Sequence, residues 1–283
     1  MASSADSHAG LPAYAELHCI SNYSFLRGAS HPAELVAQAA ALGYTALALT
    51  DECSVAGIVR AHVVARKHAI QLIIGSELRL ADGLHLVLLA TDREDYAALC
   101  ALITRGRRAA VKGSYHLLRA DLEALGSACL VLWIPSEVPQ LADAIWLQQH
   151  FAGRAWLAVE LHAGGDDHHR IRQLTRLAAA AGMPAVAAGD VHMHVRGRRA
   201  LQDTLAAIRA RQPLGSGSRI LHPNGERHLR SRAALAPSSP LHAASLGNCA
   251  SSFAASASQA ACVGYRSAKF QRSAADSARA APQ

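Results

Sequence analysis

The absences in this 283-residue sequence narrow its class before any motif is read. It has no apolar run of ~18 residues or more, so no membrane-spanning helix is expected. The opening residues MASSADSHAGLPA carry neither a basic n-region nor an apolar core. A secretory leader is therefore not expected, and the expected location is the cytoplasm. Six cysteines, Cys19, Cys53, Cys100, Cys129, Cys249 and Cys262, show no CxxC spacing. That argues against a zinc knuckle or a disulfide scaffold and for reduced thiols. No GxGxxG and no GxxxxGKS/T follows a strand-like segment, so no nucleotide cradle of either kind is expected. Acidic residues are fewer than basic ones, 21 against 28, for a net charge of +7. This fits nucleic-acid or polyphosphate partners without singling one out.

What is present is an alternation of strand and helix patterns in a chain that is 51% hydrophobic. The stretch ELHCISNYSFLRGASHPAELVAQAAALGYTALALTDECSVAGIVRAH reads as strand, polar loop, helix, strand, polar loop, helix, with strands at 14–20 and 46–49. A helix over 55–68 leads to QLIIGSEL, an apolar strand ending in Glu77, and then to LHLVLLA, which has His85 at its start. TDREDYAALCALITRGRR predicts a helix with Thr91 as N-cap, acidic first turn and basic last turn. Residues 128–134 and 155–161 read as buried strands. Residues 167–181 read as a helix closed by Gly182 and Pro184, and PAVAAGDVHMH as a short strand ending in Asp190 and His192. About seven alternations in roughly 190 residues predict an α/β fold, a closed or nearly closed parallel barrel, with a doubly wound sheet as the alternative.

The residues with possible chemistry are His18, Asp51, Glu52, Glu77, His85, His162, Asp190 and His192, all close to strand ends. Imidazoles and carboxylates gathered on one rim suit zinc, manganese or iron, and clustered metals activate water for phosphoester hydrolysis. Asp190 and His192 are the sharpest pair, because a spacing of two on a strand puts both side chains on one face. The plainer account is that 16 histidines place a few near strand ends by chance. His168 and His169 read as a solvated helix start, and Cys53 as a small buried residue. Basic runs containing Arg105, Arg107 and Arg108, and Arg196, Arg198 and Arg199, are candidate nucleic-acid contacts. Without interleaved aromatics they read more often as solvated faces.

ELHCISNYSFLRGASHPAEL, TDECSVAG, IIGSEL, LVLLATDREDYAALCALITRGRR, AAGDVHMHVRGRRALQDTLAAIR and HPNGERHLRS together resemble the N-terminal PHP (polymerase and histidinol phosphatase) domain of bacterial C-family DNA polymerases, in wording nearest the error-prone branch. The resemblance covers about residues 14–235 and implies a distorted (β/α)7 barrel whose strand ends hold a multinuclear metal site. It carries over His18, Glu77, His85, Asp190 and His192 as metal positions, with Asp51 and Glu52 nearby. The departures are specific. The HxH after the first strand has Ile20 in place of its second histidine; an acidic or histidine position is Arg27; TDH appears as Thr50, Asp51, Glu52; and the position after the 129–134 strand falls near Pro135. A guanidinium and an apolar side chain among the ligands weaken cation binding, so the implied cofactor is at most a weakly held zinc, manganese or magnesium ion.

The organisation this implies is a disordered N-terminus at 1–13, a PHP barrel at 14–195, a basic helical linker toward a polymerase palm at 196–236, and a disordered Ala/Ser-rich tail at 237–283. The tail reads as an out-of-frame or truncated end, or as a natural linker. No paired palm aspartates for magnesium are present. Three functions compete: the PHP module of an error-prone, repair-associated polymerase; a stand-alone PHP-type metal-dependent phosphoesterase; and a non-catalytic nucleic-acid or partner-binding domain. On the first, DNA is reached through the full-length polymerase, with other polymerase or mutasome subunits as partners and no membrane.

Overall fold

A computed structural model describes residues 13–126, 128–216 and 220–235. The expected disorder at 1–13 and 237–283 lies outside the described residues except at Ala13, which is exposed and precedes β1. Seven strands form one sheet in sequence order: β1 (Ala15–Glu16), β2 (Ala46–Leu49), β3 (Gln71–Arg79), β4 (His85–Ala90), β5 (Leu130–Trp133), β6 (Ala155–Glu160) and β7 (Ala185–Ala188). The helices are α1 (Pro32–Ala41), α2 (Ile58–His68), α3 (Arg93–Arg108), α4 (Arg119–Glu123), α5 (Leu141–His150), α6 (Asp167–Ala181), α7 (Arg199–Ala210) and α8 (Arg232–Leu235).

Alternation along the strands separates three apolar layers, because successive side chains leave opposite faces of a sheet. Ala46 and Ala48 of β2, Val87 and Leu89 of β4, Leu130 and Leu132 of β5, Trp156 and Ala158 of β6 and Val186 and Ala188 of β7 meet inside the barrel. Their neighbours face outward. Leu47 and Leu49 pack with α1 and α2. Leu86, Leu88, Val131, Trp133, Leu157 and Val159 pack with the helices from α3 to α6.

The barrel departs from the expected all-parallel form at one strand. β4 runs antiparallel to both β3 and β5, with Glu77 opposite Val87 and Arg79 opposite His85. The short β3–β4 connection forces this, since a tight turn joins only antiparallel neighbours. The first strand is also shorter than the expected 14–20. Its remaining contacts with the β7 end are an isolated Cys19–Val191 bridge, with Ile20 N donating to Val191 O at 2.9 Å and Val191 N to His18 O at 2.9 Å. Glu16 replaces the ladder below that point. Its Oε1 accepts from the amides of Leu17 (3.1 Å), His18 (3.0 Å) and Gly189 (2.8 Å), and its Oε2 from the Tyr14 hydroxyl at 2.9 Å. A Cβ at position 189 would collide with this carboxylate, so only glycine closes the seam.

Two helix ends are informative. The N-cap of α3 is Asp92 rather than Thr91: Asp92 accepts from the Asp95 amide at 2.8 Å, while the Thr91 hydroxyl donates to Asp95 at 2.6 Å. Asp92 wins because its carboxylate reaches the third amide of the first turn. Gly182, with φ of +61°, ends α6 as the sequence predicts. Beyond α7 the chain returns to the barrel, where Met193 bridges His228 and the Tyr44 hydroxyl donates to Arg230 O at 2.7 Å.

Candidate functional site

Inward alternation carries polar side chains to one rim. Glu77 follows Ile73 by four positions on β3, and Glu160 follows Trp156 and Ala158 at even spacing on β6. His85 shares the inward face with Val87 and Leu89, and the reversed direction of β4 sets its first residue beside the last turn of β3. The loops after β1 and β7 deliver His18, Asp190 and His192.

These residues converge by pairing with one another. His18 Nδ1 lies 2.7 Å from Glu160 Oε1 and 3.8 Å from Asp190 Oδ1, and its Nε2 lies 3.3 Å from Glu77 Oε2. His85 Nε2 donates to Glu77 Oε1 at 2.7 Å, while Arg79 donates to His85 Nδ1 at 3.3 Å. Arg27 Nη1 donates to Glu52 Oε2 at 2.7 Å and to Glu77 Oε1 at 2.8 Å. His192 Nε2 meets Asp190 Oδ1 at 2.9 Å, and Asp190 also pairs with Arg227. Asp190 adopts a φ of +44°, a left-handed conformation rare outside glycine.

The electrostatics follow from burial set against these partners. Burial disfavours the charged form of His18, but Glu160 and Glu77 outweigh it and raise its pKa to about 9. Burial likewise opposes ionisation of Glu160, yet His18 holds it down at about 2. Glu77 lies well below the carboxylate range: burial pushes it up, and hydrogen bonds from His18 and His85 with the Arg27 charge more than reverse that. His192 is driven the other way, to about 3, first by burial and then by Arg27. Burial also lowers His162 and His222 to about 4, assisted by Arg227 and by His192 respectively.

The other positions named from the sequence serve the surroundings. Asp51 anchors the first loop, accepting from Ser21 N, Ser21 Oγ and Ser24 Oγ, each at 2.8 Å. Glu52 also accepts from the Tyr115 hydroxyl at 3.2 Å. His162 Nε2 donates to Gly189 O at 3.1 Å, outside the paired cluster. Ile20 is fully buried, and Pro135 offers its carbonyl to Arg170 at 2.7 Å. Away from the rim, Arg107 clamps the Cys53 carbonyl at 3.1–3.2 Å and stacks 5.4 Å from the Tyr115 ring centre. Arg105 pairs with Asp121, Arg196 with Glu226, Arg198 with Glu34 and Arg199 with Asp203, while Arg108 sits exposed on α3 beside Arg105.

Three rim residues escaped the sequence reading. Glu160 was legible in principle, as a carboxylate at even spacing from the inward Trp156 and Ala158. Arg227 and Gln202 were not, because both reach the rim only through the folding back of the segment after β7, Gln202 on α7 and Arg227 beyond it.

A divalent metal needs free lone pairs directed at one point. Both nitrogens of His18 are taken up by carboxylates. His192 accepts a contact from Gln202 Nε2 at 3.3 Å on Nδ1 and donates from Nε2 to Asp190. Both oxygens of Glu77 accept from cations or imidazoles. Among the described residues no group of three or more His, Cys, Asp or Glu is arranged to hold a metal ion. The residues present therefore do not fit the metal that the resemblance implies.

Among curated relatives, an error-prone DNA polymerase of Dechloromonas aromatica is 56% identical over 227 residues, covering 78% of this chain and 22% of that protein. One from Pseudomonas aeruginosa is 57% identical over 225 residues, covering 80% and 22%. The chain thus spans about a fifth of the length of these relatives. Among solved structures, a candidate metal-dependent phosphoesterase of Bifidobacterium adolescentis superposes with a TM-score of 0.50 at 16% identity, covering 64% of this chain and 89% of that one. That likeness supports the nearly closed barrel. The PHP domain matches residues 16–163, more than half of the chain and the arc from the last residue of β1 past the end of β6, and this protein belongs to that family.

Proposed function

We propose that the chain is the N-terminal PHP module of an error-prone DNA polymerase, in which it serves as a scaffold beside catalytic domains that carry out repair-associated, translesion nucleotidyl transfer. The observation that carries this reading is identity of 56% and 57% to error-prone polymerases over 78% and 80% of the chain. On this reading the barrel covers 14–195, residues 196–236 lead toward the palm, DNA is met through the whole polymerase with other polymerase or mutasome subunits, and the location is cytoplasmic. Among the described residues no helix is long and apolar enough to cross a membrane.

The rim supports a scaffold over a hydrolase. His18, Glu77, Asp190 and His192 are spent on one another, so zinc, manganese or magnesium is held weakly or substoichiometrically, and no water is activated. Primer extension tests the reading: this chain alone should leave a primed template unextended and a generic phosphodiester uncleaved. Nucleotide incorporation by the chain would sink the scaffold assignment. Metal-dependent phosphodiester turnover lost in His192→Ala would return the stand-alone phosphoesterase.

A further inference from the structure

The cleft contains a cation supplied by the chain itself. Arg27 sits on the loop between β1 and α1, and that loop is rigidly placed. Asp51 holds Ser21 and Ser24, Ala29 N donates to His192 O at 2.7 Å, and a Cβ at Gly28 would collide with the Ser21 carbonyl. The Arg27 carbonyl accepts from Gln202 Nε2 at 2.8 Å, tying the same loop to α7. The guanidinium is thereby delivered between two carboxylates from different strand ends, with one nitrogen 2.7 Å from Glu52 and 2.8 Å from Glu77. The Arg27 side chain is only 14% exposed. Two carboxylates converging on one small positive centre is the demand that a divalent ion makes of its ligands.

We propose that Arg27 is a built-in replacement for a divalent cation: its guanidinium draws the Glu52 and Glu77 strand ends together, excludes metal from the cleft, and leaves a divalent-cation site when it is shortened. A metal entering the intact cleft would approach a fixed positive charge within a few ångströms and strip Arg27 of both partners. An unpaired buried guanidinium is strongly unfavourable, so the exchange is disfavoured and no ion is held stoichiometrically. Removing the guanidinium reverses the balance, because Glu52 then has no cation between it and Glu77, Glu77 keeps only His18 on its other oxygen, and His85 remains beside them. The inference stands on the cleft geometry and does not require the polymerase reading.

The test uses the full 283-residue chain and its Arg27→Ala and Arg27→Lys variants, unfolded thermally in EDTA and in excess Mn²⁺, with bound metal measured after desalting. The natural chain should melt at the same temperature in both, within about 1 °C, and retain no stoichiometric metal. Arg27→Ala should melt lower in EDTA and recover roughly 5 °C or more in Mn²⁺, as binding to the folded state alone requires. Arg27→Lys, which keeps the charge, should show no such gain. If Arg27→Ala does not fold in EDTA, refolding in Mn²⁺ should rescue it. Metal retained by the natural chain, a rise in its melting temperature with Mn²⁺, or an Arg27→Ala variant that neither responds to nor is rescued by Mn²⁺ would overturn the proposal. Primer extension is blind to all of these outcomes, so the failure of one reading is separable from the failure of the other.

Discussion

The inward faces of the same strands end in two different chemistries. In the barrel interior Ala46, Ala48, Val87, Leu130, Leu132 and Val186 meet in one apolar cluster. At the rim, Glu77 and His18 lie as deeply and Glu160, Arg27 and His85 are 13–14% exposed, and all five survive only by pairing. The interior tolerates each side chain alone, since the cost of losing one is the transfer energy plus the cavity left behind. The rim tolerates none alone, because each charge removed strands its neighbours in a low-dielectric site. Burial of similar order therefore has unequal consequences.

Glu77→Ala is the sharpest way to break this comparison. It leaves Arg27, His18 and His85 without their shared anion and should destabilise the chain by about 3–5 kcal/mol, near the limit for folding. Leu132→Ala, fully buried in the interior, should cost about 2–4 kcal/mol by the cavity mechanism. Urea denaturation at constant pH ranks the two, and a Glu77→Ala penalty below that of Leu132→Ala would mean that the rim charges are far better solvated than their burial indicates.

The pH dependence separates the regions further. His18, raised to about 9, contributes stability that is fully present below its unfolded value of 6.5 and is lost as pH climbs through 9. His162, His192 and His222, lowered to about 4, 3 and 4, stay neutral when folded. The unfolded chain takes up their protons below 6.5, so stability falls as pH drops from there toward 3. His194, lowered mainly by burial, acts with these three on the acid limb, whereas His18 acts on the alkaline limb between 6.5 and 9. Stability should peak near pH 6.5 and fall more steeply on the acid side. Leu132→Ala should lower this curve without reshaping it, whereas Glu77→Ala should flatten its alkaline limb. Equal slopes on both sides would show that the histidine cluster is open to water.

At the small end, Arg105→Ala should change stability by less than ~0.5 kcal/mol, because its pair with Asp121 is more than half exposed on the arginine side. Chemical denaturation at low and high salt checks this; a loss above 1 kcal/mol would mean that exposed pairs on this molecule behave like those at the rim.

Much of this architecture is local and was legible in residue order. Short apolar runs place β2, β5, β6 and β7, the Gly182 stop ends α6, and a carboxylate or imidazole close to several strand ends announces a polar rim. His18, Glu77, Asp190 and His192 do meet there. The N-cap of α3 was misplaced by one residue because Thr91 and Asp92 are both competent caps, and only the geometry of the first turn chooses between them.

What residue order could not decide was direction and return. His85 opens its strand, and in an all-parallel barrel that would put it at the end opposite Glu77; the reversal of β4 sets it 2.7 Å from that carboxylate. Arg27 read as a departure that repels metal, yet the Asp51-anchored loop turns it into the partner of two carboxylates from separate strands. Gln202 and Arg227 lie far along the chain from His18 and reach the rim because the segment after β7 folds back. Side-chain alternation and helix ends depend on neighbours a few positions away, so a sequence displays them. Strand direction and charge pairing across the rim depend on contacts between distant residues, which exist only once the barrel has closed.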